Sequence, residues 1–209
     1  MTIKIGIPAQ DQPDSKFGVN VNYLNFVYKL GRPVIILPEN YDNFKEIYNL
    51  DALLLPGGAD VDSKRYTNVP EYGTYSPNVW LEHFDKEILP NLLGRMPIFG
   101  ICRGLQSLNV VFGGTLRNLW WHSYSSHDTD TVHKIDINGK KDPMKVNSFH
   151  HQAISRLAPN FTVEAKTSVA EESVIESISD YRKKIFAVQW HPERLLDEYS
   201  VSKFKEILE

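Results

Sequence analysis

The one cysteine of this 209-residue chain, Cys102, lies in the run Gly100-Ile101-Cys102-Arg103-Gly104, behind the apolar stretch 96–101 and ahead of a helical pattern. A Gly-x-nucleophile-x-Gly segment between strand and helix makes a sharp turn that lifts the central side chain clear of the strand. The glycines take the places where a side chain would strike neighbouring backbone. At the head of a helix the thiol meets N–H groups that no helical carbonyl satisfies and the positive end of the helix dipole, and both favour thiolate. Those N–H groups, Arg103's first among them, can hold the oxyanion formed when thiolate attacks a carbonyl. Taken alone, the segment serves a buried structural cysteine equally well.

A second constellation lies far along the chain. "FAVQWHPERL" sets His191 just past an apolar strand, with Pro192 stopping that strand and Glu193 following. A neutral imidazole can take a thiol proton and later protonate a leaving nitrogen. It needs a carboxylate to fix its tautomer, and Glu193 is the nearest one. Without the cysteine, this His-Pro-Glu would read as a strand-end histidine capping a surface turn. With it, the residues read as a nucleophile, a base and an orienting acid.

Elements that bring these groups together follow from the apolar runs. Strands are expected at 3–8, 33–38, 52–56, 96–101 and 184–190, and helices at 18–30, 41–49, 77–93, 104–113 and 199–208. The helix at 18–30 is read from Val21, Leu24, Val27, Tyr28 and Leu30, with Gly31 as its stop. Near-continuous runs such as "VIILP", "ALLLP" and "PIFGI" suit strands buried on both faces. Between about 115 and 148 the pattern turns β-rich and hairpin-like, with Asn138-Gly139 as a turn signal. "TVEAKTS" and "VIESISD" follow as further strands. The expected fold is α/β: a three-layer, flavodoxin-like sandwich around a mostly parallel sheet, with a small β-rich hairpin region, in one domain spanning 1–209. Strand C-terminal ends then gather along one edge, which brings Cys102 and His191 together.

Composition sets outer bounds. Hydrophobic residues make up 42% and charged residues 23%, and the net charge of −3 gives no case for nucleic acid or a membrane surface as partner. No apolar run reaches the roughly 20 residues that span a bilayer. "MTIKIGIPAQ" reads as the first strand of a cytoplasmic protein rather than a signal peptide. One cysteine excludes an internal disulfide and a CxxC motif.

"FGICRGLQSLNVVFGGTL" and "VQWHPE" together resemble the two catalytic signatures of class I glutamine amidotransferases. "CRGLQ", "LLLPGGADVDSKRY" and "VNSFHHQAI" are similar to the γ-glutamyl-γ-aminobutyrate hydrolase-like branch of that superfamily. The resemblance runs from "GRPVIILP" to "HPE" and implies a Cys-His-Glu triad of Cys102, His191 and Glu193. It makes Gly58 the second oxyanion donor beside Arg103, with Gly57 next to it at the substrate. It also implies that Gln106, one turn into the helix, contacts the glutamyl group. Ser148, Phe149 and His150 match the segment that holds the α-amino and α-carboxylate ends. The bland alternatives are a solvent-facing Gln106 and an ordinary loop at 148–150.

Three functional readings compete: a free-standing hydrolase, a glutaminase subunit feeding a separate synthetase, and a non-catalytic homologue. The complete triad argues against the last. The first needs no cofactor and no synthetase partner, only a small γ-glutamyl substrate. "DVDSKRY" departs from the branch's pattern by lacking a proline before the tyrosine, and sets Lys64-Arg65 after the oxyanion loop. That basic pair suits a phosphate-bearing leaving group. The chain also resembles the γ-glutamyl-CDP-amidate hydrolases of capsule phosphoramidate biosynthesis. The compact length and the basic pair make the substrate which that resemblance implies, γ-glutamyl-CDP-amidate, the leading expectation. γ-Glutamyl-GABA stands behind it. His150-His151, and His122, His127 and His133 with Asp128 and Asp130, fit no standard zinc spacing, so no metal is expected. Trp120, Trp121 and Tyr124 read as core or rim packing with a possible place at the mouth of the site.

Overall fold

In the structure, a computed structural model, residues 2–12, 16–41, 44–68, 75–119, 132–169, 172–195 and 197–209 are described. The strands in chain order are β1 (Lys4–Pro8), β2 (Gln10–Gln12), β3 (Lys16–Gly18), β4 (Arg32–Ile36), β5 (Ala52–Leu55), β6 (Ile98–Ile101), β7 (Thr115–Asn118), β8 (Val132–Ile137), β9 (Met144–Asn147), β10 (Gln152–Arg156), β11 (Thr162–Val169), β12 (Glu172–Asp180) and β13 (Ile185–Val188). The helices are α1 (Val21–Val27), α2 (Phe44–Tyr48), α3 (Val79–His83), α4 (Leu89–Leu92), α5 (Arg103–Val111), α6 (Pro192–Leu195) and α7 (Glu198–Leu208).

Among the described residues, nine strands pair in the order β4-β1-β5-β6-β13-β12-β11-β8-β9. The first five run parallel, and β5, β6 and β13 are wholly buried, as their unbroken apolar sequence requires. From β13 outward the pairings are antiparallel. The β-rich stretch therefore does more than form a hairpin: it extends the same sheet. β7 and β10 pair separately, and β2 and β3 form a small hairpin of their own.

Alternation along the strands sends side chains to two cores, one on each face. Leu53, Leu55 and Ile98 pack with Phe84, Leu89, Leu105 and Leu108. Ala52, Leu54, Phe99 and Ile101 pack with Tyr23, Phe26 and Phe204 on the opposite side. Phe204 of α7 stacks on Phe99 at 3.8 Å between ring centres and meets Phe26 of α1 edge-on at 5.3 Å. Sheet and helices thus form the expected three layers, and the flavodoxin-like α/β class holds.

Details depart from the sequence reading. On α1 the buried residues are Tyr23, Phe26 and Val27, whereas Val21 and Tyr28 lie exposed. The expected helix at 77–93 is interrupted: a π-helical turn, Phe84–Ile88, joins α3 to α4. Pro90, in the following turn, lacks the N–H that an unbroken α-helix would donate to Lys86. At 137–140 a turn closes through Lys140 N–H to Ile137 O, and Gly139 supplies the positive φ of 78°. The β8–β9 link runs on to residue 143, longer than a two-residue hairpin loop.

Candidate active site

β5, β6 and β13 are neighbours, and their C-terminal ends deliver the oxyanion loop, Cys102 and His191 side by side. Cys102 takes φ 53° and ψ −105°, a backbone conformation that a side chain normally avoids. Its N–H donates to Val188 O at 2.8 Å, while Leu105 N–H donates to Cys102 O at 3.0 Å, so strand and helix grip the turn from both ends. A Cβ on Gly104 would fall 2.4 Å from Leu55 O, and one on Gly100 would fall 2.7 Å from Gly104 C. The two flanking glycines are therefore required by close backbone approach, as the sequence suggested.

His191 is buried, and its Nδ1 lies 2.7 Å from Glu193 Oε1. A carboxylate accepts, so Nδ1 carries the hydrogen and Nε2 is left for Cys102, with which the ring is hydrogen-bonded. Burial pulls the His191 pKa down. The Cys102 charge and hydrogen bond, with Glu193 behind the ring, outweigh burial and push it up to about 10. The buried ring is thereby favoured in its protonated form.

Several neighbours hold this pair. Asn147 grips the His191 backbone twice: its Nδ2 donates to His191 O at 3.0 Å and its Oδ1 accepts from His191 N–H at 2.8 Å. Phe149 sets its ring edge-on to His191 at 5.5 Å, with the Arg194 guanidinium 4.1 Å from the Phe149 ring centre. Gln189 Nε2 donates to Cys102 Sγ at 3.6 Å. Gln106 is buried rather than solvent-facing, and its Nε2 donates to Gln152 O at 3.0 Å and Gln189 Oε1 at 3.3 Å. Ser148 and His150 are buried too. His150 Nδ1–H donates to the same Gln152 O at 2.9 Å, and its Nε2 lies 3.9 Å from the wholly buried Glu176.

Gly57 is buried beside Cys102 and His191, where a Cβ would come 2.9 Å from His191 Cε1 and 3.5 Å from Cys102 Cβ; Gly58 is exposed. Arg103 turns its side chain away from the site into a buried ionic cluster, donating to Glu82 Oε1 at 2.7 Å and Asp85 Oδ2 at 2.8 Å. Arg65 joins the same two carboxylates at 3.4 and 3.3 Å, whereas Lys64 stays exposed. The basic pair at 64–65 is thereby divided, one cation committed and one facing solvent.

The chain from residue 5 to residue 193 matches the family model described as Peptidase C26. The chain belongs to the peptidase C26 family. Among its relatives is protein NtpR of Enterococcus hirae, 30% identical over 82% of this chain and 79% of that one. The glutamine amidotransferase-like protein YvdE of Lactococcus lactis is 31% identical with the same two shares, 82% and 79%. Aminodeoxychorismate/anthranilate synthase component 2 of Bacillus subtilis is 28% identical over 84% of this chain and 96% of its own length. A crystal structure described as that of a GMP synthase subunit from Thermoplasma acidophilum superposes with a TM-score of 0.68 at 21% identity, covering 100% of this chain and 94% of that one. At that identity it speaks for the fold alone. Membership of the peptidase C26 family, with glutamine amidotransferase-like relatives, points to amide hydrolysis.

Other sequence candidates lie elsewhere. His151 donates to Asp60 at 2.9 Å and His133 lies 3.1 Å from Glu176, so His150 and His151 diverge. Among the described residues, no group of three or more His, Cys, Asp or Glu is placed to hold a metal ion. His122, His127, Asp128, Asp130, Trp120, Trp121 and Tyr124 lie outside the described residues. The sequence reading missed Asn147, Gln189, Tyr23 and Gln10, which touch the site's residues. Gln189 alone carried a local signal, as a polar residue at the end of an apolar strand.

Proposed function

We propose that this chain hydrolyses γ-glutamyl amides by itself, through a γ-glutamyl thioester on Cys102. The observation that carries the reading is the buried row Cys102–His191–Glu193, with the Cys102 backbone strained into position and Glu193 2.7 Å behind the imidazole. The Cys102 thiolate attacks the γ-carbonyl carbon, and the resulting oxyanion is taken by the N–H groups of Arg103 and Gly58. Collapse breaks the C–N bond as His191 Nε2–H protonates the leaving nitrogen. In the thioester the sulfur has lost its charge, and with it the largest influence that raises the His191 pKa. Burial then favours the neutral ring, which takes a proton from water as that water attacks the thioester. Glutamate leaves and the thiolate returns.

Ser148, Phe149, His150, Gly57 and Gln106 are proposed to line the glutamyl pocket. For the leaving group, γ-glutamyl-CDP-amidate is the leading proposal, with γ-glutamyl-GABA next. Since Arg65 is neutralised by Glu82 and Asp85, Lys64 is the cation of the pair left to meet a phosphate. The relative named as a synthase component supports a second reading, a glutaminase subunit serving a partner. The test is to incubate the purified chain alone with glutamine, γ-glutamyl-GABA and γ-glutamyl-p-nitroanilide and to follow glutamate release. Release from the larger amides without any added protein is expected. Activity on glutamine only, and only when a synthetase is supplied, would sink the free-standing hydrolase.

A further inference from the structure

The oxyanion loop poses a mechanical problem. Gly57 and Gly58 are consecutive glycines, neither at positive φ, present because their neighbours leave no room for a Cβ. A Gly-Gly peptide has little of its own to stop it rotating, yet an oxyanion donor must be aimed before charge develops. Two side chains supply the aim. Gly57 N–H donates to the Tyr23 hydroxyl at 2.9 Å, and Gln10 Nε2 donates to Gly57 O at 3.2 Å. In a planar trans peptide, Gly57 C=O and Gly58 N–H point in opposite directions, so fixing the oxygen fixes the N–H.

We propose that Gln10 and Tyr23 are positioning residues that clamp the Gly57–Gly58 peptide and aim the Gly58 N–H at the oxyanion. The inference rests on the γ-glutamyl hydrolase reading, in which Gly58 is the second donor. Because Gly57's own N–H is already taken by Tyr23, Gly58 is the glycine left to serve. Both clamps are themselves held. Tyr23 is buried on α1, and burial, then the Glu193 and Cys102 charges, raise its phenol well above its ordinary range, so it stays neutral and keeps an acceptor oxygen for Gly57. Gln10 rides on the β2–β3 hairpin, which is tied to α3 by Asn78 Nδ2 donating to Asp11 at 3.4 Å and by Phe17 edge-on to Trp80 at 5.6 Å. A Cβ on Gly58 would fall 2.7 Å from Gln10 Oε1 and 3.4 Å from Arg103 Cδ. The Arg103 side chain, pinned by Glu82 and Asp85, is turned away from the site, and its backbone N–H is the other proposed donor.

Tyr23→Phe removes the acceptor and keeps the ring; Gln10→Met removes the donor and keeps the volume. The assay pairs turnover of γ-glutamyl-p-nitroanilide and acyl transfer from p-nitrophenyl acetate with alkylation of Cys102 by iodoacetamide. Alkylation displaces iodide without forming an oxyanion, so it reads the thiolate alone. Each variant is expected to lose about tenfold or more in kcat and in ester acylation, with KM and alkylation rate unchanged. Wild-type turnover in both variants would overturn the clamp. So would a parallel fall in alkylation, which would mean general damage to the Cys102–His191 pair. A wild-type chain that acylates from the ester but cleaves no γ-glutamyl amide would overturn the hydrolase reading instead, and the ester comparison would still decide the clamp.

Discussion

Cys102, His191 and Glu193 form a row in which each group answers a need of the next: the sulfur needs a proton acceptor, the ring needs a fixed tautomer, and the carboxylate supplies it. His191→Asn removes the proton carrier from both half-reactions, and a fall in kcat on the order of a thousandfold is expected. Glu193→Gln keeps one acceptor oxygen but loses the charge and gains an N–H donor that holds the ring's tautomer less firmly. A fall of about a hundredfold is therefore expected, smaller than for His191→Asn. Equal losses in steady-state kinetics would mean that Glu193 does more than orient the ring. The pH profile follows from the same charges. Acylation needs the His191 proton, so kcat/KM should hold through neutral pH and fall as pH rises through about 10. The stability linked to this group has the same sign. Its folded pKa is raised above the ordinary 6.5, so its contribution is full below about 6.5 and is lost as pH climbs through about 10. That Cys102, His191 and Glu193 come together was legible because each sits in a short local pattern, an elbow or a His-Pro-Glu. Gln10 and Tyr23 were not legible, since they reach Gly57 from 47 and 34 positions away and only folding brings them there.

At the scale of elements, the site depends on how closely α5 can approach β5 and β6. Gly104→Ala would drive a methyl group into Leu55 O, which is backbone and cannot swing aside. A loss of about 1–3 kcal/mol is expected, measurable by urea unfolding, together with a drop in kcat as the elbow shifts. An unchanged midpoint and unchanged turnover would mean that the helix has slack not visible in its packing. Strands β5, β6 and β13 could be read from the sequence because burial on both faces leaves an unbroken apolar run. β4, with the same kind of run, is instead an edge strand with Ile35 exposed. The buried face of α1 could be read only in part: Leu24, Val27 and Leu30 of the expected stripe pack on the core, but so do Tyr23 and Phe26, which it left out, while Val21 and Tyr28 lie exposed. The π-helical turn was silent, yet it contains Asp85 and follows Glu82 of α3, the two carboxylates that hold Arg103. Likewise the β11–β8 pairing, which joins the consecutive-strand pairs β8–β9 and β11–β12 into one sheet, is not specified by alternation within either strand.

Across the whole molecule, the sheet gathers Gly57-Gly58, Cys102 and His191 at adjacent strand ends, where the proposed chemistry needs them. No helix among the described residues is long and apolar enough to cross a membrane. With Arg65 committed to its carboxylates, Lys64→Ala is expected to raise KM for γ-glutamyl-CDP-amidate about tenfold, leaving γ-glutamyl-p-nitroanilide unaffected. Equal effects on both substrates would remove the phosphate argument. The central claim is covalent, and so is its most direct test: mass spectrometry of the chain acid-quenched during turnover of a γ-glutamyl amide, with peptide mapping. The account predicts one glutamyl group on the peptide that carries Cys102, absent from Cys102→Ala, which should release no glutamate. Continued glutamate release by Cys102→Ala, or a glutamyl adduct on another residue, would contradict it.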